Sequence, residues 1–152
     1  MASHVLHLIP SWRAVARELV RVVRRGGVIL IDPGGWNEGV WGEVQHFFAS
    51  AAEAPGHPGL EEVAELDDLM ASLGASLRPL PPVWDVTRSG LGPLIDRLEN
   101  GIYSFTWSLD EDVRKSAAAA TRSWAATKFG SLEWVRAHVH AIEYRAYDVR
   151  KR

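Results

Sequence analysis

Three histidines are the residues of this 152-residue chain best suited to chemistry. His7 could act as a general base toward a hydroxyl or an amine, because an imidazole with the ordinary pKa of about 6.5 exchanges protons near neutrality. A histidine packed in a helix is the alternative. His138 and His140 point the same way on a strand, but no third ligand has suitable spacing, so we expect no metal site.

Aromatic residues provide a second candidate site, since seven tryptophans are many for a chain of this length. Several of them fall in predicted loops or insertions near the carboxyl edge of a sheet. They could form an apolar substrate pocket, or they could fill the space beneath a lid. The candidates are Trp36, Trp41, Trp84, Tyr103 and Trp107.

The segment from Ser11 to Asp32 predicts the elements that would position such residues. Apolar residues recur at three- and four-residue steps after Trp12, which predicts an amphipathic helix with Ser11 as its N-cap. Val28 to Ile31 are all apolar, a pattern typical of a parallel strand that helices cover on both faces. Asp32 then lies at the carboxyl end of that strand, where open α/β sheets usually bind ligands.

The remainder of the chain alternates helical and extended patterns. Segment 75–90 contains prolines that lack the amides an inner strand donates, so we expect one edge strand there. Ser108 and Glu111 form a capping box ahead of an alanine-rich helix that ends at Gly130. Residues 138–149 predict one terminal strand. Further helices are expected around 40–48, 60–74 and 94–98.

Length and composition favour one domain over 1–152, with segments 36–58 and 89–130 as inserts that cap the sheet edge. The formal net charge of -2 gives no electrostatic reason to expect nucleic acid or an anionic membrane surface as a partner. No apolar run approaches the roughly 20 residues that span a bilayer. The absence of cysteine favours a cytoplasmic protein.

The order of these elements resembles the carboxyl-terminal half of class I S-adenosylmethionine-dependent methyltransferases. The stretch ASHVLHLIPSWRAVARELVRVVRRGGVILID is similar to the family segment in which the fourth strand ends, a helix closes in an R-V-L-(R/K)-P-G-G signature and the fifth strand begins. Residues 21–27 occupy that signature, with Val23 and Arg25 where leucine and proline are common. LDDLMASLGASLRPLP resembles the helix before the sixth strand, and IEYRAYDV resembles the last strand.

This resemblance implies a partial doubly wound, Rossmann-like α/β sheet of about three strands, the fifth, sixth and seventh of the family, with the last strand antiparallel between the other two. It also implies S-adenosylmethionine as cofactor and a small molecule as methyl acceptor. Ser3 and His4 match positions beside the cofactor's methionine part, and a frayed terminus is the alternative for both. His7 would then be the catalytic base.

The family's glycine-rich loop would precede Met1, and no G-x-G-x-G substitute occurs in the chain. We therefore expect poor cofactor binding by the chain alone, and an unpaired edge on strand 28–31 that associates with a partner. That partner is a second copy or a complementing amino-terminal half. The functional alternatives are the substrate-side half of a methyltransferase, a non-catalytic dimerisation or binding module, and a truncated product of a longer protein.

Overall fold

The structure, a computed structural model, describes residues 1–34 and 38–150. They form two compact units. The sheet unit comprises the described parts of 1–35, 57–83 and 141–152, and the helical unit comprises those of 36–56 and 84–140. The predicted α/β class is confirmed. In the described chain, no helix combines the length and the apolar character needed to cross a membrane.

The described chain contains six strands, five α-helices and two short 3-10 helices. The strands are β1 (Ala2–Ser3), β2 (Val28–Asp32), β3 (Ala75–Pro79), β4 (Val83–Ser89), β5 (Arg136–Ile142) and β6 (Arg145–Val149). The helices are α1 (Trp12–Val22), α2 (Gly39–Ala51), α3 (Val63–Ser72), α4 (Leu91–Glu99) and α5 (Glu111–Phe129). The 3-10 helices are Leu6–Leu8 and Ser104–Thr106.

The sheet unit is organised around a four-stranded sheet in the order β1-β2-β6-β3. β6 runs antiparallel to both of its neighbours, and Tyr147 in β6 is paired with Ile29 of β2 and Leu77 of β3. β1 is parallel to β2 but pairs only through Ala2 with Ile31 and Ser3 with Asp32. The last strand of the chain therefore lies inside the sheet.

Helices α1 and α3 pack on the same face of this sheet. Alternate residues of the strands share one buried core with residues of both helices, as the two-residue period of a strand requires. This core contains Leu6, Trp12, Ala16, Ile29, Ile31, Leu60, Leu66, Met70, Ala75, Tyr147 and Val149. The opposite face carries Val28, which is 48% exposed, and an ion pair between Arg78 and Asp148 at 2.8 Å. Ala146, which pairs with Leu30 on that opposite face, is nevertheless only 1% exposed, so the covering of strand 28–31 by helices on both faces stays a prediction.

Three predictions about strands need correction. The sheet has four strands instead of about three, because β1 occupies part of the β2 edge that was expected to be unpaired. Segment 75–90 forms two strands, since the chain leaves the sheet at Pro79 and β4 starts after two further prolines. Segment 138–149 is also split, because β5 pairs with β4 whereas β6 pairs with β2 and β3.

Two predicted helix caps are also absent. Ser11 precedes α1, but its backbone (φ −92°, ψ 31°) is not extended and its side chain makes no capping hydrogen bond. α5 begins at Glu111 with Asp110 as its N-cap, so the Ser108 capping box does not form. α5 still ends directly before Gly130, its C-cap, whose φ of +79° favours glycine.

The helical unit has its own core between α2, α4 and α5. Twelve buried side chains fill it: Trp41, Val44, Phe48, Ala52, Leu91, Leu94, Ile95, Leu98, Phe105, Ala117, Ala118 and Ala125. The guanidinium of Arg136 donates to the carbonyl of Phe129 (2.7 Å), the last residue of α5, and to that of Trp134 (2.9 Å) in the segment that follows, so it satisfies one acceptor at the carboxyl end of the helix. Most of both predicted inserts lies in this unit; whether they cap the sheet edge stays a prediction.

Asp67 joins α3 to β6 and should contribute measurably to stability. Its carboxylate accepts from the Arg145 guanidinium and from the Tyr147 hydroxyl, the latter at 2.7 Å. We expect Asp67→Ala to lower the free energy of unfolding by about 1–3 kcal/mol, because both donors lose a charged acceptor. Urea unfolding followed by circular dichroism measures this. The matched control is Asp68→Ala, an exposed neighbour on α3; equal losses for the two variants would contradict the assignment.

Candidate functional site

The carboxylate of Asp32 is the centre of a cluster at the carboxyl ends of β1 and β2. The parallel register places Ser3 opposite Asp32, so residues that follow both strands meet at the same edge of the sheet. The Asp32 side chain is only 8% exposed. A buried charge of this kind needs several hydrogen-bond donors, and the neighbouring chain supplies them.

Three donors surround this carboxylate. The Ser3 hydroxyl donates to Oδ2 at 2.8 Å, and His4 Nε2 lies 3.0 Å from the same oxygen. The Gly34 amide donates to Oδ1 at 3.0 Å. The main chain adds a fourth link, because the His4 amide donates to the Asp32 carbonyl at 3.1 Å. Asp32 thus fixes the turn after β1, and its oxygens are engaged as acceptors.

His4 has an unusual backbone conformation, with φ at +50°. Left-handed geometry is uncommon for a residue with a side chain, although histidine adopts it more often than most, and it costs on the order of 1 kcal/mol. Gly34 is also left-handed, with φ at +77°, and a Cβ there would lie 3.1 Å from His4 Nδ1. A side chain at position 34 would therefore press on the His4 ring.

Two further histidines lie next to this cluster. His7 belongs to the 3-10 helix Leu6–Leu8, and its ring centroid is 4.5 Å from that of His57 and 6.5 Å from that of His4. The Gly59 amide donates to the His7 carbonyl at 2.9 Å and fastens the 57–60 loop to this helix. A Cβ on Gly59 would lie 2.2 Å from the Leu6 carbonyl oxygen, so the approach requires glycine.

Burial lowers the pKa of both His7 and His57. For His7, partial burial is the largest cause, and the nearby rings of His57 and His4 act in the same direction. A hydrogen bond to the Pro33 carbonyl and the charge of Asp32 oppose this shift. For His57, burial lowers the pKa and Glu61 opposes it. Both imidazoles are therefore held in the neutral form at neutral pH, in which one ring nitrogen can accept a proton.

The structure brings together three of the sequence-predicted residues, Ser3, His4 and His7. Sequence reasoning located Asp32 at the strand end but assigned it no role, although an acid directly after an apolar strand was a usable signal. It missed His57 completely. No local signal could have found that residue, because its proximity to His7 depends on how the 57–60 loop folds back.

The five aromatic candidates do not form one group in the described structure. Trp36 lies outside the described residues. Trp41 and Tyr103 pack in the core of the helical unit, whereas Trp84 and Trp107 are 65% and 64% exposed. A substrate pocket built from these residues stays a prediction.

The His138 pair also lies in the helical unit. Trp41 stacks on His138 with ring centroids 4.7 Å apart, and His138 in turn stacks on His140 at 6.1 Å. Burial and the neighbouring His140 lower the pKa of His138, while Asp85 opposes the shift. No group of three or more side chains suited to a metal ion occurs in residues 1–34 or 38–150.

Comparison with known proteins identifies structural neighbours at low sequence identity. No protein-family model and no curated protein sequence matches the chain. The YcgJ protein from Bacillus subtilis has a similar structure, with a TM-score of 0.52 and 13% identity over 99% of this chain and 62% of its own. BH2331 from Bacillus halodurans C-125, to which methyltransferase activity is attributed, has a TM-score of 0.51 and 12% identity over 98% of this chain and 62% of its own. The chain thus shares its fold with these proteins and spans less than two thirds of their length.

The lowered pKa values of His7 and His57 should make the stability of the protein depend on pH. Since the pKa values of His7 and His57 are lower in the folded state than in the unfolded state, the unfolded chain binds protons first as pH falls. The contribution of these histidines to the free energy of unfolding should be fully present above about pH 6.5. Below that pH the free energy of unfolding should fall, by at most about 1.4 kcal/mol per pH unit for each extra proton that the unfolded chain binds. Urea unfolding between pH 7.5 and 5.0 measures this slope.

The variant His7→Gln/His57→Gln should reduce that slope. His138 contributes in the same direction and remains in the double variant, so part of the slope should persist. Arg21→Gln is the control, because it removes an exposed charge whose pKa is raised by Glu18 and which does not titrate in this range. An unchanged slope in the double variant would contradict the assignment.

Proposed function

We propose that this chain is the substrate-side half of a class I S-adenosylmethionine-dependent methyltransferase that acts on a small molecule. The order and direction of β2, β6 and β3 support this proposal, because they match the arrangement expected for the fifth, seventh and sixth strands of that family. β1 then corresponds to the end of the fourth strand. The fold that the chain shares with BH2331 also supports this proposal.

The observation that carries the proposal is the attachment of Ser3 and His4 to Asp32. Ser3 ends, and His4 follows, the strand that corresponds to the family's fourth, where the methionine part of the cofactor and the substrate meet. Their hydrogen bonds to a buried carboxylate give the turn a defined shape. Such rigidity is what methyl transfer needs, because the reaction depends mainly on in-line positioning of donor and acceptor.

The cofactor would be bound weakly by this chain alone. In the family, the loops after the first strands hold the adenosine, and the chain corresponds to only 62% of BH2331. The edge of β2 supports a requirement for a partner, since β1 pairs with Ile31 and Asp32 and the described chain offers no strand beside Val28 to Leu30 on that side. A second copy or a complementing amino-terminal half would pair there.

A non-catalytic dimerisation or binding module is the second candidate function. The same unpaired stretch of β2 favours it, because an apolar strand edge associates readily whether or not a cofactor is bound. The two candidates differ at the turn after β1. A methyltransferase half requires this turn to contact the cofactor, whereas a binding module does not.

Titration with S-adenosylhomocysteine separates the two functions. We expect no calorimetric heat at millimolar ligand but specific amide chemical-shift changes at Ser3, His4 and Gly34 in nuclear magnetic resonance spectra, because the chain contacts only the amino-acid end of the ligand. Adenosine is the control ligand and should leave these amides unshifted. The absence of any shift at these residues with S-adenosylhomocysteine would reject the methyltransferase function in favour of the binding module.

Sedimentation velocity tests the partner proposal. The protein should associate at about 10 μM, and Val28→Lys should shift it to the monomer, because a charge beside the strand edge opposes the addition of another strand. Val22→Lys is the matched control, since Val22 lies on α1 and is 55% exposed, close to the 48% of Val28. A monomeric parent protein, or equal effects of both substitutions, would contradict pairing through β2.

A further inference from the structure

His4 is the histidine of the Asp32 cluster whose ring is both fixed and accessible. Its side chain is 55% exposed, whereas the His7 ring is partly buried against His57 and donates to the Pro33 carbonyl. The left-handed backbone of His4 is strained, and it is maintained by the hydrogen bond that its backbone N–H donates to the Asp32 carbonyl at 3.1 Å. Strain that a protein maintains at one exposed residue points to a use for that residue's side chain.

The contact with Asp32 determines which nitrogen of His4 can accept a proton. Nε2 lies 3.0 Å from Asp32 Oδ2, and an ionised carboxylate only accepts hydrogen bonds, so Nε2 carries the hydrogen. In the neutral ring, Nδ1 then carries the lone pair. The arrangement is a carboxylate-oriented imidazole, in which the acid selects the tautomer and holds the ring plane.

We propose that His4 is the general base of the methyl transfer and that Asp32 is its positioning residue, so that the acceptor is a hydroxyl or amine that must lose a proton. This inference rests on the proposed function and replaces His7 as the base. It also assigns the substrate class, because an acceptor without an ionisable O–H or N–H group would need no base.

The step balances without any further reactant beyond the methyl donor. His4 Nδ1 takes the proton as the acceptor's O–H or N–H bond breaks. The freed electron pair forms a bond to the methyl carbon, whose bond to the donor's sulfonium sulfur breaks, and that pair remains on sulfur. The imidazolium formed at His4 is stabilised by the negative charge of Asp32 and afterwards releases its proton to water.

The other polar groups of the cluster fit this role less well. The Asp32 side chain is only 8% exposed, and it already accepts from Ser3, His4 and Gly34, so it is poorly placed to take a proton from a substrate. The Ser3 hydroxyl donates its only hydrogen to Asp32. Gly34 has no side chain, and this leaves room for the His4 ring. A Cβ at position 34 would lie 3.1 Å from His4 Nδ1 and would press on the ring.

The tautomer of His4 can be measured in the chain as it is, without cofactor or substrate. In long-range proton–nitrogen correlation spectra of protein labelled with nitrogen-15 at histidine, neutral His4 should show a hydrogen on Nε2 and none on Nδ1. Asp32→Asn should reverse this pattern, because the amide NH₂ would donate to Nε2 and leave the hydrogen on Nδ1. The exposed Asp68→Asn on α3 is the matched control and should leave His4 unchanged.

Reaction with diethyl pyrocarbonate provides a second readout. His4 should be carbethoxylated at least about tenfold faster than His7 and His57, as measured by peptide mass spectrometry, because its side chain is 55% exposed whereas His7 and His57 are partly buried. Asp32→Asn should slow this reaction several-fold. A parent protein with the hydrogen on Nδ1 of His4, or one in which His7 reacts as fast as His4, would overturn the proposal even if Asp32→Asn failed to fold.

Failure of S-adenosylhomocysteine to perturb the turn after β1 would instead reject the methyltransferase function and leave the His4 tautomer result unaffected.

Discussion

The position of β6 between β2 and β3 is the constraint on which the sheet unit depends. Both edges of this strand are paired, so its backbone links segments that are distant in the sequence. Its side chains do the same on one face, where Tyr147 is fully buried and Arg145 and Tyr147 both donate to Asp67 of α3. Burial and the Asp67 carboxylate raise the pKa of Tyr147, which keeps its hydroxyl protonated as a donor. β2 and β3 therefore belong to one sheet only when β6 lies between them.

The candidate site depends on a different kind of bond. β1 has two residues and is too short to be held by its backbone pairing alone. The Asp32 carboxylate adds side-chain and amide contacts from Ser3, His4 and Gly34, and these contacts bind the turn to the end of β2. The same contacts orient the His4 ring. Structural support and chemical function thus rely on one buried charge.

The helical unit shows how aromatic residues serve different purposes in one segment. Phe47 stacks on Trp124 with ring centroids 4.3 Å apart, and Phe48 is fully buried in the core. Trp41 stacks on His138, and within the described residues its buried Nε1 has no hydrogen-bond partner. Trp84 and Trp107 are exposed instead. Composition gave the number of aromatic rings, but a ring in a core and a ring on a surface have the same sequence signal.

The sequence by itself determined the elements whose signals are local. The apolar periodicity of α1, the uninterrupted apolar run of β2 and the glycine after α5 each report the conformation of neighbouring residues, and these elements lie close to where the patterns predict them. The α/β class followed from their order. Caps at Ser11 and Ser108 were predicted wrongly. Ser11 lacks the extended backbone that a capping hydrogen bond requires, and α5 begins at Glu111 with Asp110 as its N-cap, too late for Ser108 to cap it.

Only the tertiary structure decided which distant groups meet. The division of residues 138–149 into two strands depends on their having different partners, β4 for one and β2 with β3 for the other. The contact of His57 with His7 likewise arises from chain segments that pack together, as do the contacts of three donors with the Asp32 carboxylate. Periodicity in a sequence specifies which face of an element is apolar, whereas hydrogen-bond partners are fixed by packing in three dimensions, and the chemistry of this site depends on those partners.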